Sequence, residues 1–113
     1  MRASPKQLRW LGDSLEVVKT FSDEAKRSAG HQLGLVQSGV DPLDWKPMET
    51  VGAGVREIRI RVETACRVMY VAKFNEAVYV LHAFVKKSSK TNKQDIDLAA
   101  DRYRALIKAR SAR

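Results

Sequence analysis

Three observations predict an α+β chain. An apolar stripe at helical spacing runs through residues 14–37, an alternating and then continuously apolar pattern fills 55–85, and helical spacing returns after residue 92. The expected architecture is two N-terminal helices packed on a twisted antiparallel sheet of three to four strands, plus a C-terminal helix. At 113 residues the chain has room for one core, so residues 1–113 are read as a single domain with a basic tail from about 108.

Asp13 or Ser14 can cap a short helix carrying Leu15, Val18 and Phe21. Ser22 opens a second helix, with Asp23 and Glu24 in the first turn, where carboxylates complement the positive end of the helix dipole. Ala25, Ala29, Leu33 and Val36 make its stripe, and Gly39 ends it. DPLDWKP (41–47) holds two of the three prolines and reads as a loop. VREIRIRV (55–62) alternates, with Ile58, Ile60 and Val62 on one face and Glu57, Arg59 and Arg61 on the other. CRVMYVAKF (66–74) is β-branched and aromatic, and Asn75-Glu76 is short enough for a hairpin turn. AVYVLHAFV (77–85) is apolar on both faces and therefore central. A further strand is expected at the sheet's edge around Gln7 to Leu11. Asn92 opens the last helix, with Asp95 in its first turn and Ile96, Ala99, Ala100, Tyr103 and Leu106 on its buried face.

Charge is segregated along the chain. Residues 1–55 hold seven Lys/Arg against seven Asp/Glu, whereas residues 56–113 hold fourteen against six and carry the whole +8. Such a distribution points to a polyanionic partner: nucleic acid, an anionic membrane surface or an acidic protein. No apolar run reaches the length of a membrane span, and the start MRASPKQLRW lacks the apolar core of a signal peptide, so a cytoplasmic location is expected. The single Cys66 reads as a buried structural thiol, with no disulfide framework and no thiolate metal cluster.

The strands place cations on one surface. Arg59 projects from the polar face of the first meander strand, Arg67 starts the next, and Lys86, Lys87 and Lys90 leave the third at the same end. Arginine offers a fork of donors and lysine a mobile point charge, which together suit a phosphate backbone. From composition, three readings stay open: catalysis, non-catalytic polyanion binding, and plain solvation of an exposed sheet. RNA cleavage can use the substrate's own 2′-OH, so it requires neither a metal nor a nucleophilic side chain, only groups that move a proton and stabilise phosphorane charge. His82, on a face with Val78, Val80 and Phe84, reads as a satisfied core or interface histidine, with a general base as the alternative. Glu57 either orients a neighbouring cation or is the ordinary polar residue of an alternating strand. Arg67→Ala and a Lys86/Lys87 double alanine are both expected to leave the fold intact, as substitutions on polar surfaces.

REIRIR (56–61), CRVMY (66–70) and VYVLHAFVKKSSKTNKQDIDLA (78–99) resemble the phage-derived, HigB-type branch of the RelE/HigB-like toxins of bacterial type II toxin–antitoxin modules. The resemblance covers about residues 10–107, and the lysine-rich segment is its most specific part. It implies a RelE/ParE-like fold and a metal-independent endoribonuclease that cleaves mRNA, typically in the ribosomal A site, and inhibits translation. The implied partners are a cognate helix-turn-helix antitoxin, mRNA and the ribosome, with no membrane and no cofactor. By position, the resemblance makes Arg59, Arg67 and Lys87 catalytic candidates and Arg56, Arg61, Lys86 and Lys90 RNA-binding ones, with Glu57 and His82 as candidate orienting groups. Asn92 departs from the family pattern, standing where many relatives carry proline. The alternatives are a gyrase-inhibiting toxin of the same fold and a non-catalytic nucleic-acid-binding protein.

Overall fold

The computed structural model describes residues 5–62, 64–87 and 90–112. The chain starts with a strand, β1 (Gln7–Trp10), and continues through α1 (Ser14–Lys19), α2 (Asp23–Gln37), β2 (Trp45–Pro47), β3 (Val55–Arg61), β4 (Ala65–Val71), β5 (Ala77–Lys86) and α3 (Lys93–Ser111). The strands lie in the order β1-β5-β4-β3-β2. β1 runs parallel to β5, and the other neighbouring pairs are antiparallel.

This overturns the expected architecture of two N-terminal helices on an antiparallel sheet of three or four strands. The sheet is mixed and five-stranded, and a strand precedes the helices. β1 occupies the anticipated segment, but its parallel partner is 70 residues away in the register Gln7 to Ala77, which no local pattern announces. β2 falls in the segment read as a loop. Three residues are too few to show a period, and Pro47 is tolerated because an edge strand can lack one ladder donor. Main-chain bonds from Met48 N to Val55 O (2.8 Å) and from Arg59 N to Asp44 O (2.8 Å) extend this edge pairing.

Helices cover both faces of the sheet. Val18, Phe21, Ala25, Ala29, Leu33 and Val36 of the α1–α2 segment pack on Ile58, Ile60, Cys66, Val68, Val78 and Val80. Ala99 and Leu106 of α3 pack on the opposite face, against Met69, Val71, Tyr79, Leu81 and Phe84. Ser22 caps α2 by accepting from Ala25 N (3.2 Å), and Asn92 caps α3 by accepting from Gln94 N (2.7 Å). No described helix is long and apolar enough to cross a membrane.

A bulge in β5 changes which residues face α3. Met69 pairs with His82 but Tyr70 pairs with Val80, so Leu81 is the extra residue. Before it the odd residues Tyr79 and Leu81 face α3, and after it the even residues His82 and Phe84 do. His82 therefore does not share a face with Val78 and Val80, because a one-residue slip exchanges the faces. It lies 5% exposed under α3, stacked on Phe84, with Nε2 2.7 Å from Asp95 Oδ1. Arg102 straps α3 down, donating to the carbonyl of the bulged Leu81 (3.0 Å) and to Asp13 Oδ1 (2.7 Å).

Candidate functional site

The polar face of β3 meets the start of β4 at the hairpin end of the sheet. There Arg59 and Arg67 are direct partners in the antiparallel register, and Lys86 sits opposite Ala65 at the end of β5. The structure thus brings Arg59, Arg67 and Lys86 to one end of the sheet.

Behind them lies a carboxylate. Glu57 is fully buried, two residues before Arg59 on the same face. Its Oε1 is 3.5 Å from Arg67 Nε and 3.8 Å from Lys46 Nζ, and its Oε2 accepts from Thr91 Oγ1 at 3.2 Å. The contact with Arg67 is an ion pair without hydrogen-bond geometry. Glu57 Oε1 and Arg67 Nε have no hydrogen-bond partner among the described residues.

Arg67 is only 5% exposed, and its Nη1 donates to Cys66 O (3.1 Å). Burial pushes its guanidinium below the ordinary value, Glu57 opposes that, and Arg59 and Arg61 add to it. An arginine so placed still carries its charge. Burial also pushes the Lys86 ammonium down, helped by the charge of Arg67 and opposed by Glu57. A lysine biased in this way releases a proton more readily than a solvated one. Beside it a cleft of about 280 Å³ is bounded by Phe84, Lys86, Lys87, Lys90, Asn92 and Asp95. Lys87 and Lys90 are exposed on the cleft's rim. Ser88 and Ser89 of the same motif lie outside the described residues.

The family described as phage derived protein Gp49-like matches residues 16–104. The chain belongs to the Gp49-like family. That family is associated with toxin–antitoxin modules. No curated protein matches the chain. The Gp49-like match begins inside α1 and ends inside α3, so it includes the whole cation cluster and leaves β1 outside.

Two of the sequence candidates, Arg56 and His82, stand apart from the cluster of this Gp49-like chain, and Arg61 lies at its edge, near enough for its charge to act on Arg67. Arg56 points to the α2 face, paired with Asp41 at 2.8 Å and lying 4.0 Å over the Trp45 ring. Arg61 is exposed and 3.6 Å from Asp44. His82 is held between Asp95 and Arg102, whose Nη1 is 3.4 Å from Nδ1. A guanidinium cannot accept, so Nδ1 is the acceptor and Nε2 carries the proton given to Asp95. That arrangement positions α3 on the sheet and leaves no ring nitrogen open to a substrate.

Two members of the cluster were not anticipated from sequence. Lys46 comes from β2, hidden in a segment whose prolines signal a loop. Thr91 stands in the lysine motif, but only the return of the chain toward β3 reveals its bond to Glu57.

Proposed function

We propose that this Gp49-like protein is the HigB-type toxin of a toxin–antitoxin module, a metal-independent endoribonuclease that cleaves mRNA on the ribosome and so inhibits translation. The observation that carries this reading is the pairing of Arg59 with Arg67 across β3 and β4, with Lys86 alongside and Glu57 buried behind.

The chemistry follows from where charge develops. Attack by the 2′-oxygen, whose proton passes to solvent water, forms a new O–P bond while the bond from phosphorus to the 5′-oxygen breaks. This leaves a 2′,3′-cyclic phosphate and a free 5′-hydroxyl. Arg59 and Arg67 face the phosphoryl oxygens, whose negative charge grows in the transition state. Lys86, with its lowered proton affinity, donates to the departing 5′-oxygen, and Lys87 and Lys90 on the cleft rim hold the flanking backbone. Glu57 is wholly buried and does not reach a substrate hydroxyl, so it acts as a positioning residue for Arg67. On this reading a helix-turn-helix antitoxin neutralises the site, and the protein works in the cytoplasm, where the ribosomes are.

The test is a pulse of expression in a bacterial host, followed by 5′-end mapping of cellular mRNA. New 5′-hydroxyl ends within translated frames are expected. Arg59→Ala should lower their yield by about 10²–10³-fold, and the Lys86→Ala/Lys87→Ala double variant should lose them. Growth arrest without cuts would replace this reading with gyrase inhibition. Neither arrest nor cuts would leave a basic binding protein.

A further inference from the structure

The α2 face of the sheet carries a polar feature that the proposed ribonuclease site does not use. Arg56 and Tyr70 are direct partners in the β3–β4 register. Together with Lys6, Val40, Asp41 and Lys73 they bound a cavity of about 290 Å³, at the small end of the range for small-molecule sites (about 300–1,000 Å³). It lies on the other face of the sheet from Arg59 and Arg67, near the opposite end of the same two strands.

Tyr70 is 1% exposed, and its hydroxyl proton has no acceptor among the described residues. Burial raises the pKa of the phenol against the pull of Arg56, whose guanidinium donates toward the phenol oxygen and adds its charge, so the group stays neutral and keeps its own proton to give. A buried hydroxyl whose proton is left unmatched is destabilising. The surrounding side chains do not cure this, because three of the charged ones are cations and cations cannot accept. The one carboxylate, Asp41, is engaged by Arg56 at 2.8 Å.

The cations, in contrast, have donors to spare. Lys6 Nζ gives one proton to Ala72 O (2.6 Å), and Lys73 Nζ gives one to the Tyr103 hydroxyl (3.1 Å). Each keeps further N–H groups, as does Arg56. The cavity has an excess of donors and positive charge, and its one carboxylate is already paired with Arg56.

We propose that this cavity binds a small anionic ligand, a phosphate or carboxylate group on a compact body, with Tyr70 as the neutral donor and Lys6, Arg56 and Lys73 as the charged ones. The site is separate from the cation cluster at the hairpin end and does not depend on ribonuclease activity.

An NMR titration of the full chain tests it, with methyl phosphate and acetate as separate probes. One of them is expected to shift the amides of Gly39, Val40, Gly54 and Ala72, and which one does so identifies the anionic group. Tyr70→Phe should weaken that probe by about tenfold or more, the worth of a hydrogen bond to a charged group. The same variant without probe should melt close to the wild type, because the phenol proton it removes has no acceptor and Arg56 keeps Asp41. Lys73→Ala, at an exposed position, should also weaken the probe while leaving the melt unchanged. No shift with either probe at millimolar concentration would overturn the proposal. So would unchanged affinity in Tyr70→Phe.

Discussion

Two glutamate–arginine pairs among the described residues differ in almost every respect but chemistry. Glu76 and Arg110 meet in a fork, with Nε to Oε2 at 2.7 Å and Nη2 to Oε1 at 3.1 Å, and the Tyr79 hydroxyl adds 2.9 Å to Oε2. Both side chains are partly exposed, and together they pin the end of α3 to the β4–β5 turn. Glu57 and Arg67 are far more buried, yet they approach only to 3.5 Å and leave Oε1 and Nε without hydrogen-bond partners among the described residues. The first pair has used its bonding capacity and serves the fold. The second holds its charges in a water-poor place with capacity in reserve, which is what a site for a third charged group requires.

Truncating the arginine of each pair separates the two most sharply. Arg67→Ala strands a fully buried carboxylate, with Lys46 3.8 Å away as its nearest remaining counter-charge. It should lower the unfolding free energy by about 3–5 kcal/mol in urea melts. The double variant Arg67→Met/Glu57→Leu should regain most of that, because no charge is then left inside. Arg110→Ala leaves Glu76 partly in water and should cost clearly less. If Arg67→Ala melted like the wild type, the contrast would collapse. The premise behind the expectation that this variant leaves the fold intact, an Arg67 on an open polar surface, is corrected by its 5% exposure. An alternating strand shows that Arg67 is on the polar face, but not that the face is covered there.

Thr91→Val is the next step down. It removes the hydrogen bond to Glu57 and should cost about 1.5–3 kcal/mol, the range for a bond to a charged partner. Hydrogen exchange should then quicken around Thr91 and Asn92 while α2 is untouched. Equal protection in the variant would mean that Thr91 does not tie the lysine segment to β3.

What the sequence revealed was mostly local. Ser22 and Asn92 cap the helices they were expected to open, and Ile58 and Ile60 face the α1–α2 side of the sheet while Glu57 and Arg59 take the other face. The convergence of Arg59, Arg67 and Lys86 also followed from strand order alone, since the meander fixes which ends coincide. What stayed hidden depended on partners distant in the chain. The parallel pairing of β1 and the three-residue β2 have too few residues for a period. The bulge at Leu81 has no residue signature, yet it turns His82 from the face of Val78 to that of α3. Arg56 reads like its neighbours in REIRIR, and only its even position sends it to the other side of the sheet.

The smallest effect concerns pH. The Arg110 fork, joined by the Tyr79 hydroxyl, holds the Glu76 carboxyl down at about 2, against 4.5 for an unperturbed glutamate. A carboxyl whose pKa is lower in the folded chain adds stability that is fully present above the unfolded value and is lost as pH falls through the folded one. The stability difference between wild type and Glu76→Gln should thus be constant above about pH 4.5 and shrink toward zero as pH approaches 2. Below that, both side chains are neutral and the fork has no charge to hold. Melts of the two proteins across this window would show converging curves. Curves that stayed parallel would mean that the fork contributes through its shape rather than its charge, and the contrast with Glu57 would then be one of burial alone.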